Sequence, residues 1–380
     1  MTVVAIVFWL AAGLLVYTHV GYPLLLAALA AARARPSARA LSQWPTTSVI
    51  VSAHDEEATI ERWVEAVRAL DYPSRPEVIV VSDGSSDRTA ELARRAGADL
   101  VLELERGGKV AALNAAAARA SGECLAFSDA NARWRPDALR ELAREFADPA
   151  VGYVCGQLRL HGGDGANQEG LYWRYETAVR ELESRLAGVT AGNGAINAVR
   201  HQAFLALEPG RGQDISFPYE LTKRGWRAVY APRAVAEEPM AAGLGSELDR
   251  KRRMLAGAWA TLLRHRMLSP RGYPPAYAFE IYSHRLLRYA SPILHLAALA
   301  TNIALVDEGT IYVVTLALQL AVLLAAALAP VLPLRPLQVA RYYVAVTAAS
   351  ALGLWDYLRG GVPVTWEKAE GTREQAAGSR

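Results

Sequence analysis

The sequence predicts an α/β fold in which a parallel sheet is covered by helices and flanked by membrane helices. Short β-branched runs alternate with helical segments in the middle of the chain, and long uncharged segments lie near both ends. Strand runs that alternate with helices indicate a parallel sheet with helices on both faces. Ligands of such sheets bind beyond the carboxyl ends of the strands, so we expect the functional residues there.

The first uncharged segment, residues 1–32, is long enough to cross a membrane, since a spanning helix needs about 20 apolar residues. It lacks the positive start and the shorter apolar run of a cleaved signal peptide, so residues 1–33 are predicted to be a permanent anchor. Arg33, Arg35 and Arg39 follow. Because positive flanks stay in the cytoplasm, residue 40 onward should be cytoplasmic.

Residues 44–270 have the pattern of a soluble domain. Predicted strands end in small or polar residues, and predicted helices begin just after them. The strands are expected at residues 48–52, 77–82, 100–104 and 123–127, and the helices at residues 56–70, 87–96 and 109–120.

Residues 271–360 are expected to form interfacial and transmembrane helices, followed by a cytoplasmic tail, residues 361–380. Two uncharged segments, residues 289–306 and 311–334, are predicted to span the membrane. A third apolar run, residues 342–355, has only 14 residues between two arginines. That length favours a helix on the cytoplasmic surface over a span, with a re-entrant segment as the alternative.

Composition excludes several classes of protein. The chain has 380 residues, of which 52% are hydrophobic, which argues against a disordered protein. Only two cysteines occur, Cys124 and Cys155, so a disulfide-stapled domain is excluded and both are expected to pack on strands. A net charge of +3 predicts no concentrated basic surface, and we therefore expect no nucleic-acid partner.

Acidic residues follow three of the predicted strands: Glu56, Asp83 and Asp129. Each alone is explained by helix capping or the helix dipole. Together at one edge of a sheet they indicate a ligand site. Asp129 and Asn131 can direct two oxygens at one divalent cation, which suits a nucleotide diphosphate. Lys109, in a Gly-Gly-Lys turn at a helix start, can contact phosphate.

These motifs resemble a known family. The order AHDEE, VSDGSSDRT, RGGKVAALNAA and FSDAN is similar to that of family 2 inverting glycosyltransferases with a GT-A fold. The flanking apolar segments resemble the membrane-embedded branch, which includes cellulose, hyaluronan and poly-N-acetylglucosamine synthases. The resemblance covers residues 46–270 and, more loosely, the flanking helices. It implies a Rossmann-like GT-A domain, a cell-membrane location, and transfer from a nucleotide sugar, with a UDP-sugar as the expected donor.

The resemblance also implies roles for individual residues around the donor. A divalent cation, Mg²⁺ or Mn²⁺, would be held by Asp129 and Asn131, although the family usually has a second aspartate in place of Asn131. Nucleotide-sugar contacts are implied for Ala53, through its backbone, and for Glu56, Asp83, Lys109, Asp129 and Arg253.

On the acceptor side, the resemblance implies that Gly192, Asn193 and Gly194 line the acceptor site and that Asp214 is the general base. Inverting transfer is a single displacement, so a carboxylate must take the proton of the attacking hydroxyl. For the glycine segment the alternative is a plain turn, and for Asp214 it is a helix cap.

Three departures from the family pattern leave the acceptor open. Gln213 replaces an acidic residue, and Arg250 and Met254 replace the glutamine and tryptophan of the Gln-x-x-Arg-Trp motif of processive members. We therefore consider a growing polysaccharide, a lipid acceptor without processivity, and a catalytically inactive scaffold subunit. Besides membrane lipids, an accessory subunit or a second copy of the chain is an expected partner, because few helices are present to form a channel.

Overall fold

The computed structural model describes residues 2–32, 41–161, 166–208, 211–239, 244–332 and 334–360. Within these ranges the chain forms an eight-stranded sheet with helices beside it. The predicted tail, residues 361–380, lies outside the described residues, as do Arg33, Arg35 and Arg39.

All four predicted strands are confirmed within one residue of their expected bounds. The first strand is buried along its whole length, as expected for a strand covered on both faces. The strands are β1 (Thr47–Ala53), β2 (Glu77–Asp83), β3 (Leu100–Leu104), β4 (Cys124–Ser128), β5 (Arg133–Trp134), β6 (Val151–His161), β7 (Ile196–Arg200) and β8 (Arg227–Pro239).

The sheet is mixed, with the strand order β3-β2-β1-β4-β7-β6-β8-β5. Strands β1 to β4 pair in parallel, as predicted. The prediction of a parallel sheet is wrong for β7, which runs antiparallel to both β4 and β6. The register pairs Ile196 with Ser128, so β7 starts where β4 ends. A strand that enters the sheet from that edge must run in the opposite direction.

Helices cover the two faces of the sheet. Val49 and Val51 pack in one buried cluster and Ile50 in the other, as expected from the alternation of side chains along a strand. The predicted helix at residues 56–70 begins only at Ile60. The helices of this part are α3 (Ile60–Arg68), α4 (Thr89–Arg95), α5 (Lys109–Ala117), α6 (Ala138–Arg144), α7 (Ala166–Leu186), α8 (Gln213–Lys223) and α9 (Leu244–Leu263).

The apolar ends of the chain also form helices. The first comprises α1 (Thr2–Val16), a π-helical turn (Tyr17–Gly21) and α2 (Tyr22–Ala32). After α9 follow α10 (Pro275–Glu280), a second π-helical turn (Ile281–Leu286), α11 (Leu287–Tyr289), α12 (Ser291–Ala304), α13 (Thr310–Leu328) and α14 (Arg335–Gly360).

Two described helices, Thr2–Ala32 and Thr310–Leu328, are long and apolar enough to cross a membrane. Helix α12 is apolar but has only 14 residues, about 21 Å of helix against a hydrocarbon core of about 30 Å. That residues 289–306 span the membrane therefore stays a prediction. Residues 342–355 lie inside the longer α14, which packs along α9. Their position on the membrane surface likewise stays a prediction.

Candidate active site

A cavity of about 900 Å³ lies beyond the carboxyl end of β4. Its wall includes Lys109 from the start of α5, Asp129 from the end of β4, Asp214 from α8 and Glu238 from the end of β8. Helices α9 and α14 and the first apolar helix form other parts of the wall. The cavity is therefore at the predicted ligand edge of the sheet, and it extends to the helices of the chain ends.

Lys109 and Asp129 form an ion pair in the wall of this cavity. Burial opposes the charge of Lys109, but Asp129, with Asp214 and Glu238, raises the pKa of Lys109 above its ordinary value. The backbone of Gly194 lies against the pair, because a Cβ there would be 3.0 Å from Lys109 Nζ and 3.1 Å from Asp129 Oδ2. The pair places a permanently charged ammonium where a phosphate can reach it.

The segment of residues 190–195 holds the backbone of Asp214 in place. The N–H of Gly192 donates to the carbonyl oxygen of Asp214 at 2.7 Å. Asn193 Nδ2 donates to the carbonyl oxygen of Gly156 at 2.8 Å, and Asn193 Oδ1 accepts from the N–H of Ile196 at 2.9 Å. Gly192, Asn193 and Gly194 all line the cavity, but the Asn193 amide is already used to shape the segment.

Asp214 lies in the first turn of α8, half-buried and facing the cavity. The residue before the helix is Gly212, so the cap position belongs to this glycine, and Asp214 lies inside the first turn. Burial raises the pKa of Asp214 above its ordinary value, and Lys109 lowers it in part. A carboxylate with a raised pKa is a stronger base than one in water, as proton removal from a hydroxyl requires.

Glu238 is an acidic residue of the cavity that the sequence analysis missed. It lies in β8, and its buried Oε1 has no hydrogen-bond partner among the residues that the structure describes. Burial, and then the negative charge of Asp129, raise the pKa of Glu238 to about 7, although Lys109 and Arg250 act in the other direction. The signal was present in the sequence, because Glu237 and Glu238 end an apolar β-branched run in the same way as Asp83 and Asp129.

These carboxylates fit a divalent cation better than the predicted pair of Asp129 and Asn131. Asn131 is exposed and is not part of the cavity wall, whereas Asp129 and Glu238 share it. Within the described ranges, no group of three or more His, Cys, Asp or Glu is arranged to hold a metal ion. A cation such as Mg²⁺ binds through one or two carboxylates together with substrate phosphates, and this donor set suits that mode.

Three predicted nucleotide contacts lie outside the cavity wall. Asp83 accepts from the N–H groups of Gly107, at 2.7 Å, and Gly108, at 3.1 Å, so it fixes the turn that carries Lys109. Glu56 accepts from the Thr59 hydroxyl at 2.7 Å, and Ala53 is buried at the end of β1. The structure brings together Lys109, Asp129 and Asp214, and it links Asp83 to them through the turn.

Arg253 is exposed on α9 and lines the cavity, as does Met254. Helix α9 is held by α14, because Arg252 Nε and Nη2 donate to the two carboxylate oxygens of Asp356 at 2.5 and 2.6 Å. A Cβ at Gly353 would lie 2.9 Å from the Arg252 carbonyl oxygen, so the two helices touch at this glycine.

A buried polar network, centred on Glu183 of α7, joins the first apolar helix to the cavity wall. Glu183 Oε1 accepts from the Tyr22 hydroxyl at 3.0 Å and from His284 Nδ1 at 2.7 Å. Glu183 Oε2 accepts from the Thr190 hydroxyl at 2.9 Å. Thr190 begins the segment that holds Asp214. The network was not visible in the sequence, because its members are far apart along the chain.

Residues 48–205 match the family described as Glycosyl transferase family 2. This segment is a family 2 glycosyltransferase domain. The chain is also 27% identical to an N-acetylglucosaminyltransferase of Rhizobium sp. (strain N33), over 59% of the chain and 55% of the relative. It is 30% identical to a beta-monoglucosyldiacylglycerol synthase of Synechocystis sp., over 48% of the chain and 40% of the relative. The chain thus spans about half the length of these relatives.

A solved structure resembles the chain beyond the family segment. A mannosyltransferase from Pyrobaculum calidifontis, in complex with GDP-Man and Mn²⁺, superimposes with a TM-score of 0.72 and 25% identity. The match covers 93% of this chain and 99% of that one. Together with the family segment and the sheet, it shows that the chain has the GT-A fold.

The family segment contains only part of the cavity. Lys109, Asp129 and the residues around Gly192 fall inside the family segment, residues 48–205. Asp214, Glu238 and Arg253 lie beyond it and reach the same cavity from α8, β8 and α9.

Proposed function

We propose that the chain is a membrane-bound inverting glycosyltransferase that moves a sugar from a nucleotide sugar to an acceptor hydroxyl, with Asp214 as the general base. The observation that carries this proposal is the meeting of Asp214 with the Lys109–Asp129 pair in one cavity at the carboxyl edge of the sheet.

The reaction is a single displacement. The acceptor oxygen attacks the anomeric carbon, the bond from that carbon to the diphosphate oxygen breaks, and the nucleoside diphosphate leaves with the electron pair. Asp214 takes the hydroxyl proton as the new bond forms. Lys109 and Arg253, which both line the cavity, would bind the diphosphate, and Asp83 keeps the turn before Lys109 in position. A bound Mg²⁺ or Mn²⁺ at Asp129 and Glu238 would supply Lewis-acid stabilisation of the leaving group.

The two apolar helices support a membrane location, with the sheet domain in the cytoplasm, where nucleotide sugars are made. The expected donor is a UDP-sugar, from the resemblance to the synthases. The mannosyltransferase of similar structure was solved with GDP-Man, so a donor screen needs both nucleotides. The similar beta-monoglucosyldiacylglycerol synthase is named for a lipid product. Because Met254 takes the place of the tryptophan of processive members in the cavity wall, and an apolar helix also lines this cavity, we favour a lipid acceptor over a growing polysaccharide.

We expect the substitution Asp214→Asn to lower transfer by about 10²- to 10⁴-fold, the usual loss for a general base. The measurement is transfer of radiolabelled sugar from UDP- and GDP-sugars to membrane lipid, beside release of the nucleoside diphosphate. Asp137→Asn, at an exposed aspartate before α6, is the matched control and should keep full activity. Equal transfer by the wild type and Asp214→Asn would refute the assignment of the base. No turnover by the wild type with any donor would support the scaffold alternative.

A further inference from the structure

The part of the cavity wall next to the first apolar helix is rich in arginine, and the buried carboxylate of Glu183 lies behind it, near Arg285. Arg180 of α7, Arg285 and Arg288 line it together with a single carboxylate, Glu176. We call these four residues the arginine cluster. The donor diphosphate is expected at Lys109 and Arg253, which come from α5 and α9. The arginine cluster comes from α7, the second π-helical turn and α11, on the part of the wall next to the first apolar helix.

The hydrogen bonds of the cluster leave donor capacity at Arg180. Arg288 pairs with Glu176, and Arg285 Nε donates to the Thr190 hydroxyl at 2.8 Å. Arg180 is 5% exposed, and Nη2 makes one long bond, 3.4 Å, to the carbonyl oxygen of Gly192. Arg180 Nε has no hydrogen-bond partner among the described residues. Because a buried charge without full pairing is costly, this arrangement indicates an anionic ligand.

Gln213 supplies a second observation of the same kind. It precedes Asp214, is 5% exposed and lines the cavity. Neither its Nε2 nor its Oε1 has a hydrogen-bond partner in the part of the chain that the structure describes. A buried amide left unpaired costs about 1–3 kcal/mol. A ligand with a hydroxyl and a phosphate near Asp214 would satisfy both of its atoms, whereas a carboxylate at this position would repel a phosphate.

The same cavity continues along helices of the chain ends. His19 lines it from the first apolar helix, and Val339, Tyr343 and Val346 line it from α14. Because the helix Thr2–Ala32 is a candidate membrane span, an acyl or prenyl chain can follow this wall toward the bilayer. One cavity wall therefore includes Asp214, the arginine cluster and residues of two apolar helices of the chain ends.

We propose that the arginine cluster and Gln213 bind the phosphate of a lipid acceptor whose headgroup also carries the hydroxyl that is glycosylated. This inference rests on the proposed function and names its acceptor class. The phosphate takes no part in bond making. The headgroup oxygen bonds to the anomeric carbon, its proton goes to Asp214, and the nucleoside diphosphate leaves.

Binding is measured without turnover, on Asp214→Asn protein in a neutral detergent, by native mass spectrometry. Three probes separate the features of the ligand: phosphatidylinositol, diacylglycerol without phosphate, and inositol phosphate without acyl chains. Gln213→Glu adds one negative charge at nearly constant shape, and Arg180→Gln removes one positive charge. Gln202→Glu is the matched control, because Gln202 is exposed and follows β7, whose carboxyl end lies at the opposite edge of the sheet.

Phosphatidylinositol should bind at least about tenfold more tightly than either other probe, and Gln213→Glu and Arg180→Gln should each weaken it by about tenfold. Gln202→Glu should not change it. Equal affinity for diacylglycerol, or unchanged affinity in Gln213→Glu, would overturn the phosphate site. Equal affinity for inositol phosphate would overturn a lipid acceptor. Donor turnover by wild-type protein without phosphatidylinositol selectivity would leave the proposed function standing and reject only this inference. Selective binding of phosphatidylinositol without any donor turnover would leave the phosphate site standing and reject the proposed function.

Discussion

The two sides of the cavity are built in different ways. On the side of the proposed donor site, which we call the donor side, Asp83 binds the turn before Lys109, and Lys109 pairs with Asp129; these contacts join residues only 20 to 25 positions apart. On the side next to the candidate span Thr2–Ala32, which we call the membrane side, Glu183 binds Tyr22 and His284, which are 161 and 101 positions away. The donor side is thus assembled from local strand-and-turn units, and the membrane side depends on long-range contacts with the first apolar helix. We expect the membrane side to be more sensitive to single substitutions.

The strongest test of this difference is Glu183→Gln. It leaves Tyr22, His284 and Thr190 facing an amide in a fully buried site, and breaking a buried polar pair costs about 3–5 kcal/mol. Glu103→Gln on the donor side removes only the exposed pair with Arg94, worth about 0–1 kcal/mol. Both are measured as the free energy of unfolding in detergent. A loss below about 1 kcal/mol in Glu183→Gln would show that the two sides are equally tolerant.

Glu183→Gln should also change how the stability of the protein depends on pH in the acid range. Burial opposes the charge of Glu183, but His284, Arg285 and Thr190 hold its pKa at about 2, below its ordinary value. A carboxylate with a lowered folded pKa contributes stability above its unfolded pKa of about 4.3, and that contribution is lost as the pH falls toward 2. Wild-type stability should therefore fall over this range more steeply than that of Glu183→Gln. If the stability of both proteins fell equally over this pH range, Glu183 would not carry a charge in the folded protein.

A smaller difference is expected between two neighbouring glycines. A Cβ at Gly192 would lie 1.9 Å from the hydroxyl oxygen of buried Tyr153, so Gly192→Ala should destabilise the protein by about 1–3 kcal/mol and displace Asp214. A Cβ at Gly194 would meet only the ends of two side chains, Lys109 Nζ at 3.0 Å and Asp129 Oδ2 at 3.1 Å, and side-chain ends can shift by a few tenths of an ångström. Gly194→Ala should therefore raise the KM for the donor without a loss of stability.

Tyr153→Phe provides the control for this pair, since it removes the nearest atom that a Cβ at Gly192 would touch and leaves Tyr153 Cζ at 2.9 Å. Combined with Gly192→Ala, it should restore part of both stability and transfer. The contrary result would be no rescue by Tyr153→Phe, together with equal damage from Gly194→Ala and Gly192→Ala. In that case, the loss in Gly192→Ala would not be caused by contact with Tyr153.

What could be predicted from the sequence follows the same division. The four strands, the ligand edge, and the positions of Lys109, Asp129 and Asp214 follow from local patterns and from the family resemblance. The antiparallel direction of β7 could not be predicted. It depends on the position of residues 190–195, which bring the chain to the carboxyl end of β4, and no local pattern in the sequence indicates that position. The π-helical turns Tyr17–Gly21 and Ile281–Leu286 were not predicted either. They touch each other through the Tyr17 and Ser283 hydroxyls at 2.9 Å, a contact with no local signature.

The last comparison concerns the cation. It tests Asn131, the ligand predicted from the sequence, against Glu238, which the structure adds to the cavity wall. Asn131 is exposed, so Asn131→Ala should leave the Mn²⁺ concentration for half-maximal turnover within about twofold of the wild type. Glu238 shares the cavity wall with Asp129, so Glu238→Gln should raise that concentration by about 10- to 100-fold at nearly constant shape. The measurement is nucleoside diphosphate release over a Mn²⁺ titration at fixed donor. If Asn131→Ala gave the larger shift, the cation would be held as in the family motif, and Glu238 would only shape the electrostatics around Asp129.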